Sequence, residues 1–96
     1  MAALASRSEL SCFLCERPIG TRLEWHHPIP KSRGGRETVP VHPICHRTIH
    51  ATIDNKALAR GYHSAEALRA HPELSRFVAW VRGKEPDFHA PTRRKK

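Results

Sequence analysis

The 96-residue sequence predicts a small α+β domain stapled by a bound metal. Three observations predict it. Cys12 to Cys45 is dense in Pro, Gly, Cys and His with no helical period, the segment after it lacks Gly and Pro and spaces apolar residues four apart, and the cysteines are few. A chain this short makes one domain at most and buries too small a fraction of its surface for a comfortable apolar core. Apolar residues make up 39% and aromatics 6%, so the core is thin. Three cysteines are an odd number for a disulfide framework, which leaves metal as the staple.

Taken in order, residues 1–11 are Ala-rich and Ser-containing and predict a frayed helical turn leading into Cys12. A strand is expected at Arg22 to His26 and another at Thr38 to Val41, with a Pro- and Gly-rich loop between them. From Cys45 to Arg60 one helix is expected, with Ile49, Ile53 and Ala57 forming its apolar stripe and Gly61 capping its end. Ser64 is a good N-cap for SAEALRAH. Pro72 opens a last helix, PELSRFVAWVR, which Gly83 stops and in which Leu74, Phe77, Val78 and Val81 share a face. Trp25 and Trp80 neighbour apolar runs and are expected in the core, whereas His63 and His71, at helix ends, are expected to be exposed. The domain therefore spans 1–83, with a motif core at 12–54 and a helical extension at 55–83. Residues 84–96, with two prolines, a basic end and no periodicity, read as a disordered tail.

Seventeen Lys and Arg against nine Asp and Glu give a formal net charge of +8 and a pI near 10.3. That surplus implies a polyanionic partner, most simply nucleic acid. No charged n-region followed by an apolar run opens the chain, and nothing approaches the roughly 20 apolar residues of a membrane span. A cytoplasmic, reducing location follows as the expectation, one in which cysteines are more often metal ligands than bridges.

Cys12 and Cys15 form a C-x-x-C pair, and His42 and Cys45 form an H-x-x-C pair. Each can grip a metal from one tight turn, and together they complete the tetrahedral shell of a structural zinc with no open position. His46 and His50 lie four residues apart on the expected helix, so both imidazoles share a face. His26 and His27 lie across the loop. Adjacent side chains of an extended chain point to opposite faces, so one of the two can join His46 and His50 on a second metal while the other stays free as a base. Adjacency alone leaves open which does which. Lys31, Arg33 and Arg36 lie in or beside a loop whose Gly34 and Gly35 allow close approach of the main chain to phosphate.

The segments CFLC, HHPIPKSRGG and VPVHPICHRTIH resemble the HNH endonuclease family, over a match running from Cys12 to about His50. The resemblance implies a zinc-stapled ββα-metal core, here with additional short C-terminal helices. It makes His27 the general base and gives His26, His46 and His50 one divalent ion, which could be magnesium, manganese, nickel or zinc. It implies hydrolysis of DNA, expected to be double-stranded, by nicking or cutting with low intrinsic sequence specificity. Two positions depart from the family pattern. Glu37 stands where the family has an Asn that braces the loop and orients the base; it could accept a hydrogen bond from the His27 ring, or distort the loop and repel phosphate. His42 stands where a cysteine is common, an exchange zinc accepts. A non-catalytic zinc-dependent DNA-binding module, with Glu37 marking a lapsed active site, is the rival expectation. A small subunit of a larger nuclease or packaging assembly, or a homodimer, is a third. The terminal RRKK would add salt-sensitive affinity for nucleic acid.

Overall fold

The computed structural model describes residues 10–90, so residues 1–9 of the turn expected at 1–11 and the terminal RRKK lie outside the described residues. Two short strands, β1 (Glu24–His26) and β2 (Val39–Val41), pair antiparallel with Glu24 opposite Val41, Trp25 opposite Pro40 and His26 opposite Val39. Four helices follow: α1 (Pro43–Thr52), α2 (Asn55–Gly61), α3 (Ala65–Ala70) and α4 (Pro72–Val81). The result is a small α+β fold with a two-stranded sheet, in which both strands are shorter than the sequence suggests.

Ahead of β1, the chain turns back on itself at the C-x-x-C pair. The Cys12 N–H donates to the Arg17 carbonyl and the Glu16 N–H to the Cys12 carbonyl, each at 2.9 Å, with Glu16 in the left-handed region at φ 70°. The Phe13 N–H donates to the Pro40 carbonyl at 2.8 Å, which ties this turn to β2. Between the strands, Lys31–Arg33 form a single 3₁₀ turn that ends at Gly34 with φ 88°. A Cβ on Gly35 would lie 1.6 Å from the Ile29 carbonyl oxygen, so only glycine lets the loop close there.

The long helix expected from Cys45 to Arg60 is two helices. Ile53 adopts extended backbone at φ −129° and ψ 125°, and Asp54 starts α2 by accepting a hydrogen bond from the Ala57 N–H at 2.8 Å. The apolar stripe of Ile49, Ile53 and Ala57 runs across the break because both helices pack on the same core. Replacing Asp54 with Ala is expected to cost about 1 kcal/mol and to lower the midpoint of thermal unfolding by roughly 4–8 °C, measured by circular dichroism. An unchanged midpoint would show that α2 is held by packing alone.

Ser64 caps α3 as expected, accepting from the Ala67 N–H at 3.0 Å, and Pro72 opens α4. His71, expected to be exposed, is half-buried: its Nδ1 accepts from the Glu73 N–H at 3.2 Å and its ring meets Tyr62 edge-on at 5.6 Å. Leu58, Leu68, Leu74, Val78 and Val81 from the last three helices join Leu14, Ile19, Val41, Ile44 and Ile49 in one core.

Both tryptophans depart from the core expectation, with Trp25 51% and Trp80 49% exposed. Trp25 lies between Glu24 and His26 on a strand and so faces the opposite side from them. Trp80 is two residues beyond Val78, about 200° around the helix from the buried face.

Residues 84–90 also differ from the expected disorder. The Arg17 guanidinium donates to the Lys84 carbonyl at 3.1 Å and to the Glu85 carbonyl, and the Asp87 carboxylate accepts from the Thr21 and Arg22 N–H groups at 2.7 and 3.2 Å. Phe88 packs against the core and meets Trp80 edge-on at 5.4 Å. These contacts carry no sequence period, since they bind loop to loop.

Candidate metal centres

Among the described residues, two groups of side chains that could hold a metal assemble, and in each the candidate ligand atoms lie within 4.8 Å of one another. The first is Cys12, Cys15, His42 and Cys45, all buried. The C-x-x-C turn supplies two thiols, while His42 immediately precedes α1 and Cys45 lies in its first turn. The His42 Nε2–H donates to the Pro18 carbonyl at 3.0 Å, so the lone pair sits on Nδ1, which faces the Cys15 and Cys45 sulfurs at 3.5 and 4.0 Å. That orientation fits a structural metal such as zinc, whose ligand nitrogen and sulfur, at about 2.0 and 2.3 Å from the ion, lie roughly 3.5 Å apart.

The electrostatics suit a metal that binds thiolates. Hydrogen bonding to Cys12 and Cys45 holds the Cys15 thiol far below its ordinary value, while hydrogen bonding to Cys12 and Cys15, with burial, pushes Cys45 up. Burial disfavours a charged His42, yet hydrogen bonds to Cys12 and Cys15 raise its pKa to about 9. Protons and a cation therefore compete for this cage. The Arg17 Nε–H donates to the Cys15 sulfur at 3.3 Å and offsets part of its negative charge.

Two further arginines hold the first turn from outside. Arg69 donates to the Phe13 and Leu14 carbonyls at 3.3 and 3.1 Å, and Arg82 to the Cys15 carbonyl at 3.0 Å and the Glu16 carboxylate at 2.7 Å.

The second group is His26, His46 and His50. The ring centroids lie 5.3 Å apart for His26 and His46, 5.3 Å for His26 and His50, and 4.9 Å for His46 and His50. The strand pleat turns His26 inward, where it is fully buried with neither ring nitrogen hydrogen-bonded. Buried polar atoms left without partners are costly, and a cation shared with His46 and His50 would satisfy one of them. Burial, then the neighbouring His46, His50 and His27, push the His26 pKa down to about 4, and burial and His46 also lower that of His50. Neutral rings are the form that ligates.

This group differs from the first in its access to solvent. His26 is buried, His46 half-buried and His50 exposed, so the cluster opens on one side.

His27 stays out of both groups, half-buried at the start of the loop. Lys31, Arg33, Arg36 and Glu37 are all exposed. Glu37 makes no hydrogen bond to His27; it lines a cleft of about 320 Å³ with Ile29, Gly35, Arg36 and His63.

Glu24 is a site residue that sequence reasoning missed. Its Oε1 lies 2.9 Å from the His46 Nδ1, an arrangement that fixes the ring and leaves Nε2 free to ligate a metal. The signal was available in the strand, because Glu24 and His26, two residues apart, share a face.

The Bacillus subtilis (strain 168) protein printed as "Uncharacterized protein YisB" is 40% identical over 78 residues, which cover 79% of this chain and 77% of that protein. No family model matches the chain, and no solved structure matches it.

Proposed function

We propose that this chain, which belongs to the family of the Bacillus subtilis protein YisB, is an HNH-type metal-dependent endonuclease acting on double-stranded DNA. β1, β2 and α1 would form its ββα-metal core. The observation that carries the reading is the His26, His46 and His50 cluster, open to solvent beside a free His27 and a basic loop. A closed Cys and His cage next to an open all-His cluster is the division expected of one structural and one catalytic metal. The resemblance of HHPIPKSRGG and VPVHPICHRTIH to the HNH family and the net charge of +8 support it.

In this reading His26, His46 and His50 would hold one divalent ion, which when bound would offset the negative charge that develops on the scissile phosphate and its leaving oxygen. Imidazole is the side chain suited to act as a neutral base at physiological pH, and His27 takes the proton of the water that attacks phosphorus. The P–O3′ bond breaks, the 3′ oxygen is protonated from solvent, and the products carry 5′-phosphate and 3′-hydroxyl ends. Glu24 holds the His46 ring in place. Lys31, Arg33 and Arg36 bind flanking phosphates, which positions the duplex without reading its sequence. A cytoplasmic location, where thiols remain reduced, belongs to the same proposal.

One observation favours a second reading, a zinc-dependent DNA-binding module without cleavage. Glu37 stands where the family carries its bracing Asn, and it makes no hydrogen bond to His27. Incubation of zinc-loaded protein with supercoiled plasmid under added magnesium, manganese, nickel or zinc separates the two. The endonuclease nicks or linearises the plasmid with at least one ion and not without it. A folded protein that retards duplex on a gel yet cleaves under no ion gives the case to the binding module, or to a subunit that needs its nuclease partner.

A further inference from the structure

An open cleft of about 370 Å³ is lined by Thr21, Arg22, Glu24, Arg47 and His89, with Leu23 and Pro43 as its apolar part. Its size is at the small end of the roughly 300–1,000 Å³ that ligand sites occupy. Three separate parts of the chain bring basic side chains to it: the approach to β1, the helix α1, and the segment 84–90. That last segment is fixed by the Asp87 carboxylate, which accepts from the Thr21 and Arg22 N–H groups and so places His89 beside α1.

The Arg47 Nη1–H donates to the His89 Nε2 at 3.3 Å. This puts the His89 proton on Nδ1, and that nitrogen is buried without a partner. Both Arg22 and Arg47 are exposed, and Arg47 spends one of its five N–H donors on His89. Glu24, the one carboxylate in the lining, is bonded to His46 through its Oε1. The cleft thus gathers three basic side chains against that single carboxylate, and it sits next to the histidine cluster through Glu24 and through the adjacency of His46 and Arg47 on α1.

We propose that this cleft is a second phosphate-binding site, in which Arg22 and Arg47, the latter positioned by His89, hold a backbone phosphodiester of the duplex beside the histidine cluster. The inference rests on the nucleic-acid part of the proposed function and not on cleavage. A duplex gripped at this cleft as well as at the Lys31–Arg36 loop is fixed in register over the cluster, whereas a single basic loop would leave it free to swing.

The test measures binding of a short fluorescent duplex to zinc-loaded protein in a His27→Ala background, which keeps cleavage out of the readout. Arg22→Gln and Arg47→Gln are each expected to weaken binding roughly three- to tenfold at low salt and to reduce the slope of log affinity against log salt by about one. Arg76→Gln, an equal loss of charge on an exposed position of α4, changes affinity by less than about twofold. Inorganic phosphate titrated into the same protein shifts the His89 ring resonances, and Arg47→Gln removes that shift. Indistinguishable behaviour of the three variants overturns the proposal. A phosphate-induced shift with no effect on duplex binding assigns the cleft to small anions and overturns it equally. A protein that binds through Arg22 and Arg47 but never nicks plasmid loses the endonuclease reading and keeps this one; a protein that nicks while Arg47→Gln binds normally does the reverse.

Discussion

His27→Ala protein is expected to nick plasmid about 10²- to 10⁴-fold more slowly than wild type, equivalent to roughly 3–5 kcal/mol of barrier, while zinc content and duplex affinity stay unchanged. The separation of effects follows from where the two adjacent imidazoles sit. His26 is buried in the three-histidine cluster, and His27 lies outside it, so removing His27 takes away a base and leaves the candidate ligands intact. His26→Ala should instead lower the affinity for the added ion and show a rate that recovers in part at high ion concentration. Glu37→Gln serves as the contrast: with no hydrogen bond to His27 to lose, it should change the rate by less than about threefold. Equal nicking by wild-type and His27→Ala proteins would remove His27 from the chemistry altogether.

The second large effect concerns the buried cage. Stripping the metal, or making Cys45→Ser, is expected to abolish cooperative thermal unfolding and most of the near-ultraviolet circular dichroism. Structural zinc contributes an apparent 10–16 kcal/mol or so near pH 7, against a total stability of about 5–15 kcal/mol for an ordinary domain. Cys12, Cys15, His42 and Cys45 are all within the core, and each remaining side chain would be left there without its charge partner. Metal analysis after gentle chelation should find about one zinc per chain retained, since that cage is closed to solvent, while ions at the open His50 side exchange. A metal-free chain that keeps a cooperative transition would show that Leu58, Leu68, Leu74 and their neighbours suffice.

Both side-chain clusters were legible in the sequence because their information is local. C-x-x-C, H-x-x-C and the helical spacing of His46 and His50 each place two of these side chains together with no knowledge of the remainder of the fold. The choice between His26 and His27 was not legible, since it depends on which face of β1 meets α1. Once the register puts Glu24 opposite Val41 and His26 opposite Val39, the answer follows for His26, for Glu24 and for the outward Trp25 together. The break at Ile53 and Asp54 was hidden by a different cause, an apolar repeat of four that continues through a helix boundary. Residues 84–90 gave no periodic signal because side chains such as Arg17 and Asp87 hold them by single hydrogen bonds to backbone.

The ties between the first cysteine turn and the far end of α4 bear on how the chain acquires its shape. Arg82 reaches the Cys15 carbonyl and Arg17 reaches the Lys84 carbonyl, contacts separated by 67 residues in each case. Closing loops of that length precedes the reward of the contacts they make, which slows folding. During synthesis, all four side chains of the buried cage are made by residue 45, long before Arg82 and the Lys84 carbonyl that tie down the first cysteine turn.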